Sequence, residues 1–382
     1  MHIVVCGAGY AGLTLARGLE RELPADVDLT IVDASPDHLV QHELHRVIRR
    51  PSLADDISIP LSSALSRTDI RVGKIAGVDT DNQTVRFEDG RELDYDIGTL
   101  CLGAKTAFHG ILGVEEHATP LKRLDHAESI RAGVRGAFER DTQPRVVVGG
   151  AGLSGIQVAG EIAALAAEED QEATVTLLEQ FETVAPSFPA PFQAAVHDAL
   201  EAEGVEIRTD AAVIKADAES VHLEDGTTLV YDEFVWTGGI TGPGALHGRR
   251  PDVASDLRID DRTFVVGDAA RVVDDDGQPV PPSAQTAVRE ARTTVENISR
   301  LVAYERDPKA VFEPRLERYQ FESAGWLVSV GNNAVAQVGP SVVTGKAALA
   351  IKTTVGAGYL SSVGAVKNAV DLVAEELGLA IE

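Results

Sequence analysis

Gly7, Gly9 and Gly12 share the spacing G-x-G-x-x-G with Gly150, Gly152 and Gly155. The chemistry this spacing serves is the cradling of a pyrophosphate. The first glycine allows a tight turn, the second lets the backbone approach the phosphates, and the third lets a helix pack closely on a strand. The anion then rests on unpaired N–H groups at a helix N-terminus. Each triplet has a carboxylate downstream: Asp33 ends DLTIVD 21 residues after Gly12, and Glu179 ends ATVTLLE 24 residues after Gly155. An acid at that place accepts hydrogens from ribose hydroxyls and repels a 2′-phosphate. No arginine directly follows Glu179. The second site is therefore expected to prefer NADH over NADPH. Two such sites in one chain have a natural division of labour. One holds a flavin, the other admits a nicotinamide, and hydride crosses between them. The cofactors carry that chemistry, so few protein acids or bases are required.

Each turn must be positioned by a strand before it and a helix after it. HIVVC leads into the first and RVVV into the second, and the amphipathic run LTLARGLERE and the apolar run IQVAGEIAALAAEE follow. A repeat ties the two copies together. VRFEDGRELDYD (Val85 to Asp96) and VHLEDGTTLVYD (Val221 to Asp232) both read as hairpins turning on Asp-Gly. They lie 83 residues after Gly7 (at Gly90) and 76 after Gly150 (at Gly226), and each runs straight into an apolar strand, DIGTLCLGA or DEFVWTGGI. The expected fold class is α/β, with two Rossmann-type domains. A third apolar strand, RTFVVGDAA, lies beyond both copies. It is expected to return to the first domain, so that the second domain is an insertion. The expected division is 1–108 with 258–325 for the first domain, 109–257 for the second, and 326–382 for a C-terminal region. In that last region a helix is expected from Tyr359 to Leu377, with Leu360, Val363, Val366, Val370, Val373 and Leu377 on one stripe.

Composition narrows the partners. The chain has 60 acidic and 34 basic residues in 382, a formal charge of −26, and only 8 of the basic residues are lysine. Such a surface repels nucleic acid, so none is expected as a partner. Abundant acid with scarce lysine is the pattern expected of adaptation to high salt, where charge repulsion is screened. Cys6 and Cys101 sit in apolar strand runs, outside any CxxC pair, and read as small core residues. The chain opens directly on strand residues, so no leader is expected, and no run reaches the roughly 18 apolar residues of a membrane span. A cytoplasmic enzyme is expected, free or peripheral on the membrane's inner face.

The two fingerprints, WTGG (Trp236 to Gly239), FVVGDAA (Phe264 to Ala270) and PPSAQTAV (Pro281 to Val288) resemble the two-dinucleotide-binding flavoproteins. Within them, Ala-Gln-x-Ala and GWLVSVGNNAVAQV (Gly325 to Val338) are most similar to the type II NADH dehydrogenases, which pass electrons from NADH through FAD to a quinone. A soluble NADH:acceptor reductase and an NADH-sensing flavoprotein are the alternatives. The resemblance implies that Gly7, Gly9, Gly12, Asp33, Ala104 and Asp268 bind tight, non-covalent FAD. It implies that Gly150, Gly152, Gly155 and Glu179 bind NADH. Ala284 and Gln285 would flank the isoalloxazine, with Gln285 bordering the quinone pocket. Gln157, Glu161 and Gln285 are the candidate catalytic residues, and no metal is implied.

Three departures from the pattern matter. The family's first helix glutamate beside the reacting rings is Gln157 here, while Glu161 is kept. The second glutamine of Ala-Gln-x-Ala-x-Gln is Arg289, which either meets the quinone headgroup or faces solvent. The C-terminal stripe is aliphatic rather than aromatic and basic, so the sequence leaves open self-packing, a homodimer contact or peripheral membrane contact. His38, His42 and His45 have a spacing that could ligate metal, but exposed or flavin-side histidines are the plainer reading. Asp274 to Gly277 reads as a solvated turn, and Trp236 as a core or interface residue.

Overall fold

The computed structural model describes residues 1–140 and 142–376. Two five-stranded parallel sheets dominate it, and they are built alike. In the first, His2–Cys6 is flanked by Asp28–Asp33 and Ile97–Leu100. In the second, Arg145–Gly149 is flanked by Thr174–Leu178 and Glu233–Trp236. Both central strands read as unbroken apolar runs because helices and loops cover both sheet faces. Ile3, Val4, Val146 and Val148 have no exposed surface.

The edge strand of the first sheet is Thr263–Val265, which pairs in parallel with Ile97–Leu100. The chain thus leaves the first sheet, builds the second, and returns. The matching edge of the second sheet is the short strand Thr119–Pro120. The duplicated hairpins match down to single bonds. Val85 pairs with Leu93 and Val221 with Leu229. Gly90 and Gly226 turn them at φ of 88° and 87°. Asp96 accepts from the His2 backbone N–H at 2.6 Å, and Asp232 accepts from that of Arg145 at 2.9 Å. Each hairpin's last acid therefore pins the start of its own central strand.

The C-terminal region corrects the sequence reading. An antiparallel sheet of Trp326–Val330, Asn333–Val338 and Ser341–Thr344 leads into two helices, Gly345–Ser362 and Val366–Glu376. The expected single helix over 359–377 is broken at Gly364, whose φ is +90°. Gly364 N–H bonds to Ser361 and Ala365 N–H to Leu360, the double closure with which glycine ends helices. The break rotates the stripe. Ala365, Ala369 and Leu372 turn inward, while Val366 and Val370 are more than half exposed. Leu377 lies outside the described residues. The final helix packs on the helix before it and on Leu53–Asp56, within its own chain. Among the described residues, no helix is long and apolar enough to cross a membrane.

Candidate active site

The first glycine turn has the geometry its spacing requires. A Cβ on Gly7 would lie 2.2 Å from the Cys101 carbonyl oxygen, and one on Gly12 would lie 1.7 Å from the Gly7 carbonyl. A Cβ on Gly9 would meet nothing within 4 Å, because it would point into the open space beside the helix N-terminus. The second turn repeats this. A Cβ on Gly150 or Gly155 would strike backbone, and one on Gly152 would meet nothing. The helices Tyr10–Glu22 and Leu153–Glu168 present their N-termini to these spaces without side-chain caps. Their first N–H groups are thereby left to an anion.

The two acids are held identically. Asp33 accepts from the N–H groups of Ala8 at 2.6 Å and Ser35 at 2.9 Å. Glu179 accepts from Ala151 at 2.9 Å and Phe181 at 3.1 Å. Each carboxylate is oriented by backbone alone, beside its own glycine turn. Burial pushes the Asp33 carboxyl upward, and its N–H bonds oppose that.

A cavity of about 780 Å³ runs from the first turn to the helix Gly345–Ser362. Gly9, Asp268, Ala284, Gln285, Gln157 and Arg289 all line it. Asp268 follows a left-handed Gly267. Burial raises its carboxyl, and Lys122 and Arg250 oppose the rise. Ala284 begins the helix Ala284–Arg306, capped by Ser283, whose hydroxyl accepts from Thr286 N–H at 3.1 Å. Gln285 therefore sits at the positive end of a 23-residue helix. Arg289 reaches back to the Glu322 carbonyl from the cavity wall. Gln157 is half-buried, and its amide lies 3.4 Å from Ser329 Oγ. His45 Nε2 lies 2.7 Å from that same hydroxyl.

Two candidates stand apart from the cavity. Glu161 is one turn deeper than Gln157, 2% exposed, and meets Arg49 at 2.8 Å. Its position is a buried ion pair beneath the cavity. Ala104 is also outside the lining, and its neighbour Gly103 takes that place.

The histidines have organic partners. Nδ1 of buried His38 bonds to the Ala8 carbonyl at 2.7 Å, and its Nε2 lies 2.9 Å from the Tyr359 hydroxyl. His42 pairs with the hydroxyl of Tyr10. Asp274 ties its turn by accepting from Asp276, Gln278 and Phe321 N–H groups. Trp236 is 6% exposed and donates to the Ala107 carbonyl.

Several residues at the site escaped sequence reasoning. Lys122, Tyr10 and Tyr359 line the cavity, and Glu290 lies behind it. Tyr10 stands inside the first fingerprint and was within reach. Lys122 and Tyr359 carry no local signal, because only the fold brings them to the site. Cys6 is a buried strand residue, and Cys101 is buried just past the strand Ile97–Leu100 and lines the cavity; burial pushes the Cys6 thiol up to about 12 and raises that of Cys101.

This fold and these paired turns define a two-dinucleotide oxidoreductase. The chain belongs to the pyridine nucleotide-disulphide oxidoreductase family, whose model matches residues 1–291. It is similar to a type II NADH:quinone oxidoreductase of Staphylococcus epidermidis, with 26% identity over 92% of this chain and 93% of that protein. It is likewise 27% identical to an NADH dehydrogenase-like protein of Bacillus subtilis, over 87% of this chain and 90% of the other. Among solved structures, NDH2 of Plasmodium falciparum in complex with NADH superposes with a TM-score of 0.83 at 14% identity, covering 100% of this chain and 99% of that one. The sulfide:quinone oxidoreductase of Aquifex aeolicus superposes at 0.78 with 19% identity, over 99% of this chain and 93% of the other.

Proposed function

We propose that this chain is an FAD-dependent NADH:quinone oxidoreductase that does not pump protons. The observation that carries the reading is the single cavity joining Gly9 and Asp268 to Gln285 and Gln157. The residues fit the flavin. Gly9 leaves room for a pyrophosphate, Asp33 offers a carboxylate for a ribose, and Asp268, with Lys122 beside it, would hold the ribityl-phosphate end. The bound flavin would take hydride from NADH and return two electrons to the acceptor.

This chain's residues bind and orient. Gly150, Gly152, Gly155 and Glu179 would hold NADH, with the carboxylate turning away a 2′-phosphate. Gln285 and the helix behind it place positive potential on the cavity wall, where reduced-state charge develops. The balanced reaction is NADH plus one proton plus quinone, giving NAD⁺ and quinol. The hydride brings the electron pair, and the extra proton comes from solvent. Gln157 has an amide where the family resemblance implies an acid, so it can orient an acceptor oxygen but cannot supply that proton.

Two features favour quinone over sulfide chemistry. Cys101 lines the cavity but Cys6 does not, so no pair of cysteines faces the site, and burial holds both as thiols. The outer cavity is also apolar, with Leu327, Val338, Ile351 and Val355 on its wall. Val338 and Val355 are 50% and 56% exposed, which suits peripheral contact with lipid at the cavity mouth. The decisive experiment is purification, an absorption spectrum, then NADH and quinone in turn. Bleaching of a flavin band and its return on adding quinone supports the reading; a colourless protein that takes up no FAD sinks it. Flotation with lipid vesicles separates the membrane-bound enzyme from the soluble reductase.

A further inference from the structure

Behind the Gly267–Asp268 turn lies a carboxyl group that the functional reading does not use. Glu290 is 1% exposed, and its Oε2 accepts the Gly267 N–H at 2.7 Å. It stands on the helix that begins with Ala284 and Gln285. From the other side, Arg250 donates to the carbonyls of Asp268 and Ala270, both at 2.7 Å. The turn is also wedged sideways. A Cβ on Gly267 would lie 3.3 Å from those of Ala11, on the first fingerprint helix, and Ala287, on the Gln285 helix. One residue thus couples the helix that lines the acceptor end to the turn that carries Asp268.

We propose that Glu290 is a positioning residue for the flavin site, fixing the Gly267–Asp268 turn in the conformation that retains the cofactor. This rests on the reading of Asp268 as a flavin ligand. Without the carboxyl, the Gly267 N–H would be buried and unpaired, and the turn would relax away from its cofactor-holding form. A lost bond of this kind weakens affinity on the order of tenfold.

The surroundings also make Glu290 respond to pH. Burial pushes its carboxyl up to about 8, and the charge of Asp268 adds to the rise, while the Gly267 bond and Arg250 oppose it. Tyr319 and Cys101 face it as neutral groups, since burial raises both. Arg289 acts on Tyr319 and Lys122 on Asp268 from the neighbouring elements. At neutral pH Glu290 is therefore mainly the neutral acid, accepting through its carbonyl oxygen. A bound flavin diphosphate adds negative charge and favours that form further. Affinity for FAD should then fall as pH rises through about 8, because ionised Glu290 repels Asp268 and the phosphates.

The test strips the full-length protein of flavin and titrates it with FAD, following flavin fluorescence between roughly pH 7 and 9.5. Wild-type affinity should fall about tenfold or more across this range, and that of Glu290→Gln by less than about threefold. At pH 7, Glu290→Gln should bind within about threefold of wild type and Glu290→Ala about tenfold more weakly. Parallel pH profiles for wild type and Glu290→Gln overturn the assignment, as does wild-type affinity in Glu290→Ala. Should Glu290→Ala not fold, the two profiles alone decide. A wild-type chain that binds no FAD at any pH overturns the functional reading as well, and so is distinct from the other failures.

Discussion

Arg49 meets Glu161 beneath the cavity, Nε to Oε2 at 2.8 Å, and the pair is nearly sealed from solvent. Burial still dominates: the Glu161 carboxyl is pushed up to about 7, although Arg49 and Lys352 pull it down. Its folded value thus exceeds its unfolded one, so the folded state holds this proton more tightly. Stability from this group is full below about pH 4.5 and is lost as pH rises to about 7. The loss is at most about 3 kcal/mol. Glu161→Gln should remove that slope, because an amide does not ionise and Arg49 keeps Asn332 at 2.7 Å. Urea midpoints of the two proteins between pH 4 and 8 check it. Equal slopes would show that Arg49 cancels the burial cost.

Gln157 is the residue at which this chain parts from its resemblance. Its amide shares Ser329 Oγ with His45 and lines the cavity. A carboxyl placed there would be half-buried and would face a neutral histidine, since burial and the nearby Lys352 hold His45 well below its usual range. Gln157→Glu should therefore introduce a new ionisation into the pH profile of kcat for quinone reduction, with its limb above the usual carboxyl range. The NADH half-reaction, followed by stopped-flow flavin bleaching, should change less than about threefold, because Gly150, Gly152, Gly155 and Glu179, the residues assigned to NADH, are unchanged. An unchanged kcat profile means that position 157 has no part in proton handling.

Glu179 makes the preference for NADH testable at one position. Both oxygens are held by backbone N–H groups, from Ala151 and Phe181. Glu179→Gln keeps the shape and removes the charge. The ratio of kcat/KM for NADH over NADPH should fall by about tenfold, mostly through a lower KM for NADPH. FAD content should not move, since Asp33 serves the other turn. A wild-type protein that prefers NADPH contradicts the assignment outright.

How far the sequence carried is set by which interactions are local. The glycine turns, Asp33 and Glu179 were legible because their geometry is written within some thirty residues of each other. The hairpins were legible because duplication prints the same bonds twice. The return of Thr263–Val265 to the first sheet could be inferred because an apolar strand was left without a partner. The C-terminal helices were misread because apolar periodicity continues through Gly364 while its backbone does not. Glu161 was read as catalytic from its place in a motif, and only the approach of Arg49 across the fold shows a buried ion pair. Lys122 and Glu290 act through residues more than a hundred positions away or through a turn's backbone, and neither relationship leaves a local pattern.

The charge of −26 gives a final prediction that concerns the whole chain. Many of its ion pairs are surface contacts at close range, such as Arg271–Asp252 and Arg306–Asp26 at 2.7 and 2.9 Å. Exposed pairs of this kind contribute little each. The excess of 26 acids acts over longer distances and opposes the compact state. At about 1 M salt the screening length shrinks to roughly 3 Å, below most separations between like charges. Screening therefore removes more repulsion than attraction, and stability should rise with salt. The urea midpoint measured at about 0.1 M and about 2 M sodium chloride should increase. Replacing several exposed acids by glutamine should raise the low-salt midpoint and flatten the dependence. A midpoint that stays fixed or falls with salt would show that the acidic surface is not what limits stability.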